Sequence, residues 1–427
     1  MFPPWGNGGV GSSGIEWPDW NRTAPEFSLA VGSRWSHKEI GYRSRNVHLR
    51  AATRVLLNAL SARMGGGQTY LLNLLNFLPD KLELEVFVLA PDCLSLPQKA
   101  GIRRISANWM AKNPFTRAVW EHLYLPRLAK QLDADVLFCP GGIIGGRVPL
   151  PCKSVTMFRN MVPFSPVHRR KYPLGYMRAR NWILRRVLLR SMLRADFVIC
   201  LSEYARTVIE EQARVRLKNA AIIPHGVPAS FRKPGIASLA APDWLPADGY
   251  LLYASTVDHY KAQIEVIQGY ALLREKRKTK EKLLLVGAEY PPYGRKVRAE
   301  IERLGLQNEV LITGMIPYSM MPAIYQNALV NIFASECENC PNILLEALAA
   351  GRPVLSSSYP PMPEFAGTAA VYFDPRAPMQ LAEALAETLD DPALMSEMAR
   401  RAVERSRDFD WQATAKATWL AISEQCR

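Results

Sequence analysis

The sequence predicts an α/β protein with two doubly wound domains, each built on a parallel sheet that helices cover on both faces. Short, wholly apolar segments alternate with helical patterns along the chain, as expected for buried parallel strands and their crossover helices. This alternation is interrupted once and then starts again. The length of 427 residues favours the same arrangement, because two domains of about 150 to 200 residues are expected rather than one large core.

The first domain is predicted over residues 51–230, after an N-terminal extension. Residues 1–50 are rich in Gly, Pro, Ser and Trp without hydrophobic periodicity, which predicts a flexible segment rather than a layer of a domain. TRVLLNAL (53–60) predicts the first strand, and three glycines at 65–67 lead into a helix over 68–78. The other predicted elements are the strands LEVFVLA, DVLFCP, SVTMF and DFVICLS, helices near 115–132, 174–194 and 202–213, and the closing segment AAIIPHGV.

A stretch rich in proline and glycine separates the two domains. Residues 224–249 contain five prolines and three glycines, which interrupt regular structure and favour an interdomain linker. The second domain, predicted over residues 231–408, has the strands YLLYAST, KLLLVG, EVLITG and LVNIFAS. Its helices are predicted to begin at Lys261, to follow LVNIFAS, and to span 294–304, 378–389 and 392–406. A last helix over 409–427 is predicted to cross back to the first domain.

The net charge of +14 is concentrated in one segment. Residues 153–194 contain eleven Lys or Arg and no Asp or Glu, which indicates an anionic partner. On a helical wheel, one apolar group faces the sheet, formed by Met177, Leu184, Leu188 and Met192. A second apolar group is interleaved with basic residues, which predicts docking on an anionic membrane surface. The second apolar group is Trp182, Leu189 and Leu193, and the basic residues are Arg178, Arg185 and Arg186.

Two alternatives to membrane docking follow from the same charge. One alternative is that the basic face is simply solvated and that neighbouring loops cover its apolar residues. Nucleic acid is not expected as a partner, because no recognisable zinc, RRM or KH motif accompanies the basic segment.

Cysteine usage and the first residues predict the compartment. The seven cysteines are scattered and often lie in apolar runs, as expected of reduced thiols, and the lone pair Cys337 and Cys340 does not predict a metal site. The first residues lack the basic start and apolar run of a secretory signal, and no stretch reaches the ~18 apolar residues of a membrane span. We therefore expect a cytoplasmic protein, either soluble or attached peripherally to the inner face of the cytoplasmic membrane.

Two glutamates mark the edge of the second sheet where a ligand is expected. Glu338 comes just after the strand LVNIFAS, and ligands bind beyond the carboxyl ends of strands in open parallel sheets. Pro341 suits the start of a helix, which places Glu346 in the second turn. Free amides at Asn342 and Ile343 would suit an electron-rich ligand. The alternative is that the acids only favour the helix macrodipole, worth about 0.3 to 1 kcal/mol each.

The pattern around these glutamates resembles the retaining glycosyltransferases of family 4. This family has the GT-B fold, in which two Rossmann-like domains face each other across a cleft. The resemblance covers roughly residues 53–427. It is carried by Glu338, seven intervening residues and Glu346, then Ala347, Gly351, Pro353, Val354 and Pro363-Glu364, and also by the glycines at 65–67, IIPHGV at 222–227 and Lys261.

The resemblance implies roles for individual residues. Glu346 would hydrogen-bond the ribose of a nucleotide-sugar, and Glu338 would face the donor sugar near its reacting carbon. Lys261 would neutralise the diphosphate leaving group. Further donor-binding residues implied are Ser255, Thr256, Asn342, Ile343, Gly66 and Gly67, and the acceptor or cleft candidates are Arg159, Asn160 and Gly226.

The sequence departs from the family at three positions near the expected site. The family often has a histidine near the donor sugar, where Arg159 and Asn160 stand here. Many relatives have an arginine before the lysine, whereas the nearby positions here are Asp258, His259 and Tyr260. The family usually has asparagine where this chain has His225.

The implied activity is retaining transfer of a sugar from a nucleotide-sugar to an acceptor hydroxyl. The implied setting is the synthesis of bacterial cell-surface polysaccharide, lipopolysaccharide or glycolipid, with a carbohydrate or lipid-linked acceptor. No metal and no cofactor are expected, since the nucleotide-sugar is a substrate. The alternatives are a GT-B nucleotide-sugar epimerase or hydrolase, and a non-catalytic donor-binding partner subunit.

Overall fold

The computed structural model describes residues 52–63, 65–106, 113–232 and 239–426. The extension predicted over residues 1–50 lies outside the described residues.

The first half contains seven strands and six helices within the described residues. The strands are β1 (Thr53–Asn58), β2 (Leu84–Leu89), β3 (Ile102–Ile105), β4 (Val136–Cys139), β5 (Lys153–Phe158), β6 (Phe197–Cys200) and β7 (Ala220–Ile222). The helices are α1 (Gly66–Asn76), α2 (Pro114–Leu123), α3 (Leu125–Gln131), α4 (Pro166–Lys171), α5 (Tyr176–Arg194) and α6 (Glu203–Ala213). All strands run parallel in the order β3-β2-β1-β4-β5-β6-β7.

The second half repeats this architecture with a six-stranded sheet. The strands are β8 (Tyr250–Ala254), β9 (Lys282–Val286), β10 (Val310–Gly314), β11 (Val330–Phe333), β12 (Val354–Ser357) and β13 (Val371–Phe373). The helices are α7 (Gln263–Lys276), α8 (Pro291–Arg303), α9 (Met321–Asn327), α10 (Asn342–Ala349), α11 (Met362–Ala366), α12 (Pro378–Asp390), α13 (Pro392–Ser406) and α14 (Trp411–Ser423). The parallel order is β10-β9-β8-β11-β12-β13. The predicted α/β class with two doubly wound sheets is confirmed.

Helices cover both faces of the first sheet because alternate strand residues point to opposite sides. Val55 and Leu57 of β1 face one side, where α1 and α14 pack, and Leu56 faces the other side with α2 and α3. The Trp419 indole N–H of α14 donates to the Leu74 carbonyl of α1 at 2.9 Å. The last helix therefore lies against the first half of the chain.

The predicted helix over 115–132 is two helices in the structure. α2 ends at Leu123 and α3 begins at Leu125, with Tyr124 shared as the boundary and Pro126 in the first turn of α3. Proline has no backbone N–H and disfavours helical conformation at the preceding residue, so Pro126 interrupts the series of helical hydrogen bonds here.

The faces of α5 are close to those predicted, with one correction. Leu188 and Met192 are buried against the sheet, while Trp182 and Leu193 remain exposed. Leu189, predicted to lie with the exposed group, packs against the core instead. No helix among the described residues combines the length and apolar character needed to cross a membrane.

Candidate active site

The carboxyl ends of β8 and β11 bring a lysine and a glutamate together. These strands are neighbours in the second sheet, and a loop after each leads into a helix. The Lys261 ammonium donates to a carboxylate oxygen of Glu338, and the Ser335 hydroxyl donates to the same oxygen at 2.6 Å. The ammonium also lies 4.9 Å from the centroid of the Tyr260 ring, whose face favours a cation. Lys261 is only 4% exposed and the Glu338 side chain is 16% exposed, so the ion pair is largely buried.

The loop before α7 sets the position of Lys261. The Lys261 amide donates to the Asp258 carbonyl at 2.9 Å, and the Tyr253 hydroxyl donates to the Lys261 carbonyl at 2.6 Å. Ala262 follows with a left-handed φ of 51°, so α7 begins at Gln263 and the prediction of a helix from Lys261 was wrong. The ammonium is therefore positioned by a hydrogen-bonded loop and not by the first turn of a helix.

Glu346 lies in the second turn of α10 and is buried. The Tyr318 hydroxyl donates to its carboxyl group at 2.7 Å, and the Tyr325 hydroxyl donates at 3.4 Å. Burial raises the pKa of Glu346 to about 7, although the two tyrosine hydrogen bonds act in the opposite direction. An ionised carboxylate has about four lone-pair sites, so it can accept further hydroxyl groups beside these two.

The glycine loop and Arg159 of the first half face the start of α10. An Arg159 guanidinium N–H donates to the Gly66 carbonyl at 2.8 Å. A Cβ added to Gly66 would lie 3.2 Å from the Asn342 side-chain nitrogen, so the glycine permits close approach of the two halves. Gly67 lies beside it, where a Cβ would lie 3.4 Å from Ala62 Cα. Burial lowers the pKa of Arg159 from its usual range.

Some polar groups at the start of α10 form hydrogen bonds with neighbouring residues of the second half and with the first half. The Asn342 amide donates to the Cys340 carbonyl at 3.0 Å, so the expectation that it is free was wrong. The Asn342 side-chain oxygen is 2.8 Å from Nδ1 of His225, which comes from the linker after β7. Within the described residues, the Ile343 amide donates no hydrogen bond. One open N–H therefore remains at this helix end.

The remaining predicted residues differ in exposure. Ser255 is buried, and its hydroxyl donates to the carbonyl of the exposed Thr256 at 3.2 Å. Asn160 is exposed beside Arg159. Gly226 is buried, and a Cβ there would lie 2.3 Å from the Trp411 amide nitrogen at the start of α14. Packing against α14 accounts for a glycine at this position, and its place in the cleft stays a prediction.

Sequence reasoning missed Glu336, whose buried carboxylate joins the two halves. It accepts hydrogen bonds from Lys171, from Arg376 at 2.7 and 2.9 Å, and from the His168 ring at 3.4 Å. Burial opposes ionisation, but the hydrogen bonds from these three residues outweigh it and lower the pKa of Glu336 to about 2. No local signal marks Glu336, because its first-half partners on α4 precede it by more than 160 positions.

Other contacts between the halves involve the same loops. The Lys171 ammonium donates to the His259 carbonyl at 3.2 Å, and the Tyr172 hydroxyl donates to the Asp258 carboxylate at 3.0 Å. Lys261 lies in the same loop, and Glu338 lies two residues after Glu336. The end of α4 therefore contacts both loops that carry the buried ion pair.

The chain matches two family models that together cover both halves. A model of Glycosyltransferase Family 4 matches residues 64–231, and a model of Glycosyl transferases group 1 matches residues 243–409. The protein belongs to glycosyltransferase family 4 and has the GT-B fold.

Curated relatives are similar over part of their length. A serotype-specific mannosyltransferase of Escherichia coli is 23% identical over 272 residues, which cover 62% of this chain and 33% of that protein. A D-inositol 3-phosphate glycosyltransferase of Thermobispora bispora is 26% identical over 226 residues, which cover 49% of this chain and 53% of that protein. The chain thus spans a third to about half of the length of these relatives.

Solved structures resemble the fold across most of the chain. Anabaena HepE, crystallised in complex with UDP and glucose, has a TM-score of 0.65 at 18% identity and covers 87% of this chain and 100% of its own. WaaG, a glycosyltransferase involved in lipopolysaccharide biosynthesis, has a TM-score of 0.62 at 17% identity, covering 86% of this chain and 99% of its own.

Proposed function

We propose that this protein is a retaining glycosyltransferase that moves a sugar from a nucleotide-sugar to an acceptor hydroxyl. The observation that carries this proposal is the Lys261–Glu338 pair at the carboxyl ends of β8 and β11, just ahead of α10, the helix that carries Glu346. Relatives named for mannosyl transfer and for lipopolysaccharide synthesis support a role in making cell-surface polysaccharide, lipopolysaccharide or glycolipid. An epimerase or hydrolase would use the same donor site without an acceptor, and a non-catalytic subunit would bind the donor only.

The donor is proposed to bind mainly to the second half. Glu346 accepts the ribose hydroxyls, because its carboxylate has acceptor capacity beyond the two tyrosine hydrogen bonds. The open Ile343 amide at the start of α10 donates to the diphosphate, as helix N-termini do with anions. Gly66, with the Arg159 guanidinium on its carbonyl, borders the same space from the first half.

Transfer is proposed to occur on the face from which the diphosphate leaves. The bond between the sugar carbon and the diphosphate oxygen breaks, and the acceptor oxygen forms the new bond on the same face. The acceptor proton passes to the leaving phosphate oxygen. Lys261 stabilises the negative charge that develops on the diphosphate, so no metal ion is required. Glu338 lies beside the sugar and holds Lys261 in place.

The test is product analysis with a panel of nucleotide-sugars and sugar acceptors. Thermal shifts first identify the donor that stabilises the protein most, since ligands that bind the folded state raise its melting temperature. NMR of the product then gives its anomeric configuration, and the proposal predicts the configuration of the donor. Inversion would exclude a retaining enzyme. Donor consumption at the same rate without acceptor would favour the hydrolase or epimerase.

Membrane docking is proposed through the exposed face of α5. Trp182 and Ile183 are 51% and 53% exposed, and the Arg186 guanidinium lies 3.4 Å from the Trp182 ring centroid. An exposed tryptophan among arginines suits the headgroup region of an acidic membrane. Arg185 differs from the prediction because it donates to the Gln212 side chain at 2.9 Å, and it is half-buried together with Arg178.

Co-sedimentation with vesicles tests this surface. The wild type is expected to bind vesicles that contain acidic lipid at low salt and to be released at high salt. The double substitution Trp182→Ala and Arg186→Ala is expected to weaken this binding, whereas Arg185→Ala has a smaller effect because its side chain is occupied by Gln212. Binding that ignores lipid charge would exclude the proposal.

A further inference from the structure

A basic cavity lies at the junction of the two halves, beside the candidate active site. Its volume is about 740 Å³, and it opens between the α4–α5 connection and α8. The described residues that line it include no Asp or Glu. The residues that line it with basic side chains are Arg170, Lys171, Arg178, His259, Arg295 and Lys296.

Most of these basic groups have no anionic partner. Lys171 is paired with Glu336, but within the described residues the other Arg and Lys side chains of the cavity form no salt bridge with a carboxylate. Neighbouring arginines of α8 behave differently, since Arg298 is 2.5 Å from Glu289 and Arg303 is 2.7 Å from Glu300. The absence of pairing is therefore a property of the cavity and not of the whole helix.

The groups around the cavity also repel one another. Burial lowers the pKa of Arg169, and the neighbouring positive charges of Arg185, Arg170 and Arg178 lower it further. Burial likewise lowers the pKa of His259; Asp258 opposes this change, while Lys296 and Lys171 add to it. Like charges held this close favour the binding of an anion, which would relieve the repulsion.

We propose that this cavity binds a phosphate or diphosphate group. Arg178 and Arg295 reach it from opposite halves of the chain, and the planar guanidinium group matches a phosphate through paired hydrogen bonds. Lysine and histidine side chains add positive charge, and the size of the cavity leaves room for a diphosphate and the group attached to it.

The position of the cavity assigns this phosphate to the acceptor, a step that rests on the proposed transfer. Lys171 and His259 line the cavity and also join α4 to the loop that carries Lys261. The donor diphosphate is proposed to bind at Lys261 itself, so the cavity would hold a second phosphate group outside that site. An acceptor that carries a phosphate, whether lipid-linked or soluble, would be fixed between the two halves.

Calorimetric titration with inorganic pyrophosphate tests the site in the full-length protein. The double variant Arg295→Gln and Lys296→Gln removes two positive charges from α8 and leaves Lys261, Glu338 and Glu346 in place. Because pyrophosphate also suits the proposed donor site at Lys261, the wild type is expected to bind it at two sites. In the double variant one of these two sites is expected to be weakened by at least about tenfold at low salt. The control Arg298→Gln on the same helix, whose arginine is paired with Glu289 outside the cavity, is expected to bind like the wild type.

Two results would overturn the site. One is unchanged pyrophosphate binding by the double variant with an unchanged melting curve. The other is an equal loss in the Arg298→Gln control, which would show that only net charge matters. Because binding is measured without turnover, failure here leaves the proposed transfer untouched, and failure to detect transfer leaves the anion site standing.

Vesicles distinguish the source of the phosphate. Phosphatidylcholine vesicles with and without phosphatidic acid are compared for the wild type and the double variant. Loss of both vesicle and pyrophosphate binding in the double variant supports a phosphate carried by lipid. Loss of pyrophosphate binding alone supports a soluble phosphorylated ligand. Retention of both contradicts the site.

Discussion

Glu336 and Glu346 lie ten residues apart in the second half, and both carboxyl groups are buried, yet their surroundings are opposite. Glu336 is surrounded by Lys171, Arg376 and a histidine ring, which lower its pKa to about 2. Among the described residues, Glu346 accepts hydrogen bonds from tyrosine hydroxyls alone, and burial raises its pKa to about 7. The partners of Glu336 come from both halves of the chain, whereas those of Glu346 come from the second half alone.

The difference separates a structural carboxylate from one that is available to a ligand. Glu336 has its hydrogen-bonding capacity taken up by charged groups, so it holds the end of α4 against the loops of the site. Glu346 retains acceptor capacity and would be stabilised as an anion by further donors. Glu338 lies between them in sequence, and its carboxylate accepts hydrogen bonds from the Lys261 ammonium and the Ser335 hydroxyl.

The largest effect on transfer is expected when the Glu338 carboxylate is removed. Glu338→Gln keeps an acceptor for the Ser335 hydroxyl but leaves Lys261 without its counter-ion, and we expect transfer to fall by about 100-fold or more. Initial rates with the most active donor measure this. Glu397→Gln, at a half-exposed glutamate on α13 that pairs with arginines, is the matched control and should transfer like the wild type. Full activity of the Glu338→Gln protein would remove Glu338 from the site.

Glu336→Gln is expected to weaken the junction of the halves. Lys171 and Arg376 are 29% and 49% exposed and can turn to water, so the loss in the free energy of unfolding should be about 2 kcal/mol, below that for a fully buried pair. Urea unfolding measures it. Because the loop that carries Glu338 loses its ion pair with α4, the transfer rate should fall as well, while donor affinity changes less. An unchanged midpoint would show that the cluster does not hold the halves together.

The two carboxyl groups are expected to give stability opposite dependences on pH. Glu346 has a folded pKa of about 7 against a reference of 4.5, so between these values the folded state keeps a proton that the unfolded state releases. Stability from this group therefore falls as pH rises through that window, by up to roughly 3 kcal/mol. Glu336 has a folded pKa of about 2, so its contribution is complete above 4.5 and is lost as pH falls through 2.

Melting temperatures of Glu346→Gln and Glu336→Gln from acid to neutral pH measure these two slopes. Glu346→Gln should lose the fall in stability between about pH 5 and 7 and should be more stable than the wild type without ligand at pH 8. Glu336→Gln should instead lose less stability in acid than the wild type does. A Glu346→Gln protein with the pH profile of the wild type would contradict the raised pKa.

The smallest effect is expected from removing residues 1–45. Their sequence has no periodic apolar face to bury, so the melting temperature should change by no more than about 1 °C. A large drop would show that the tryptophans of this segment pack on a domain.

The long elements and the positions of the two acids in the fold could be predicted because their signals are local. Glu338 and Glu346 lie at a strand end and in a helix turn, where pattern and family resemblance agree. β3 was missed because its two arginines interrupt the apolar pattern of IRRI, as an edge strand permits, and β12 because its four residues VLSS are half polar. Glu336 could not be found, since a buried ionic cluster depends on residues that only folding brings together.

The transfer rate in EDTA tests the proposal that the Lys261–Glu338 pair supports transfer without a metal. The wild type is expected to keep its full rate in the chelator, and Lys261→Ala is expected to lose about 100-fold, because a fixed ammonium stabilises the departing diphosphate. Lys416→Ala, an exposed lysine on α14, is the control and should match the wild type. Loss of wild-type activity in EDTA that Mn²⁺ or Mg²⁺ restores, or full activity of Lys261→Ala, would contradict the claim.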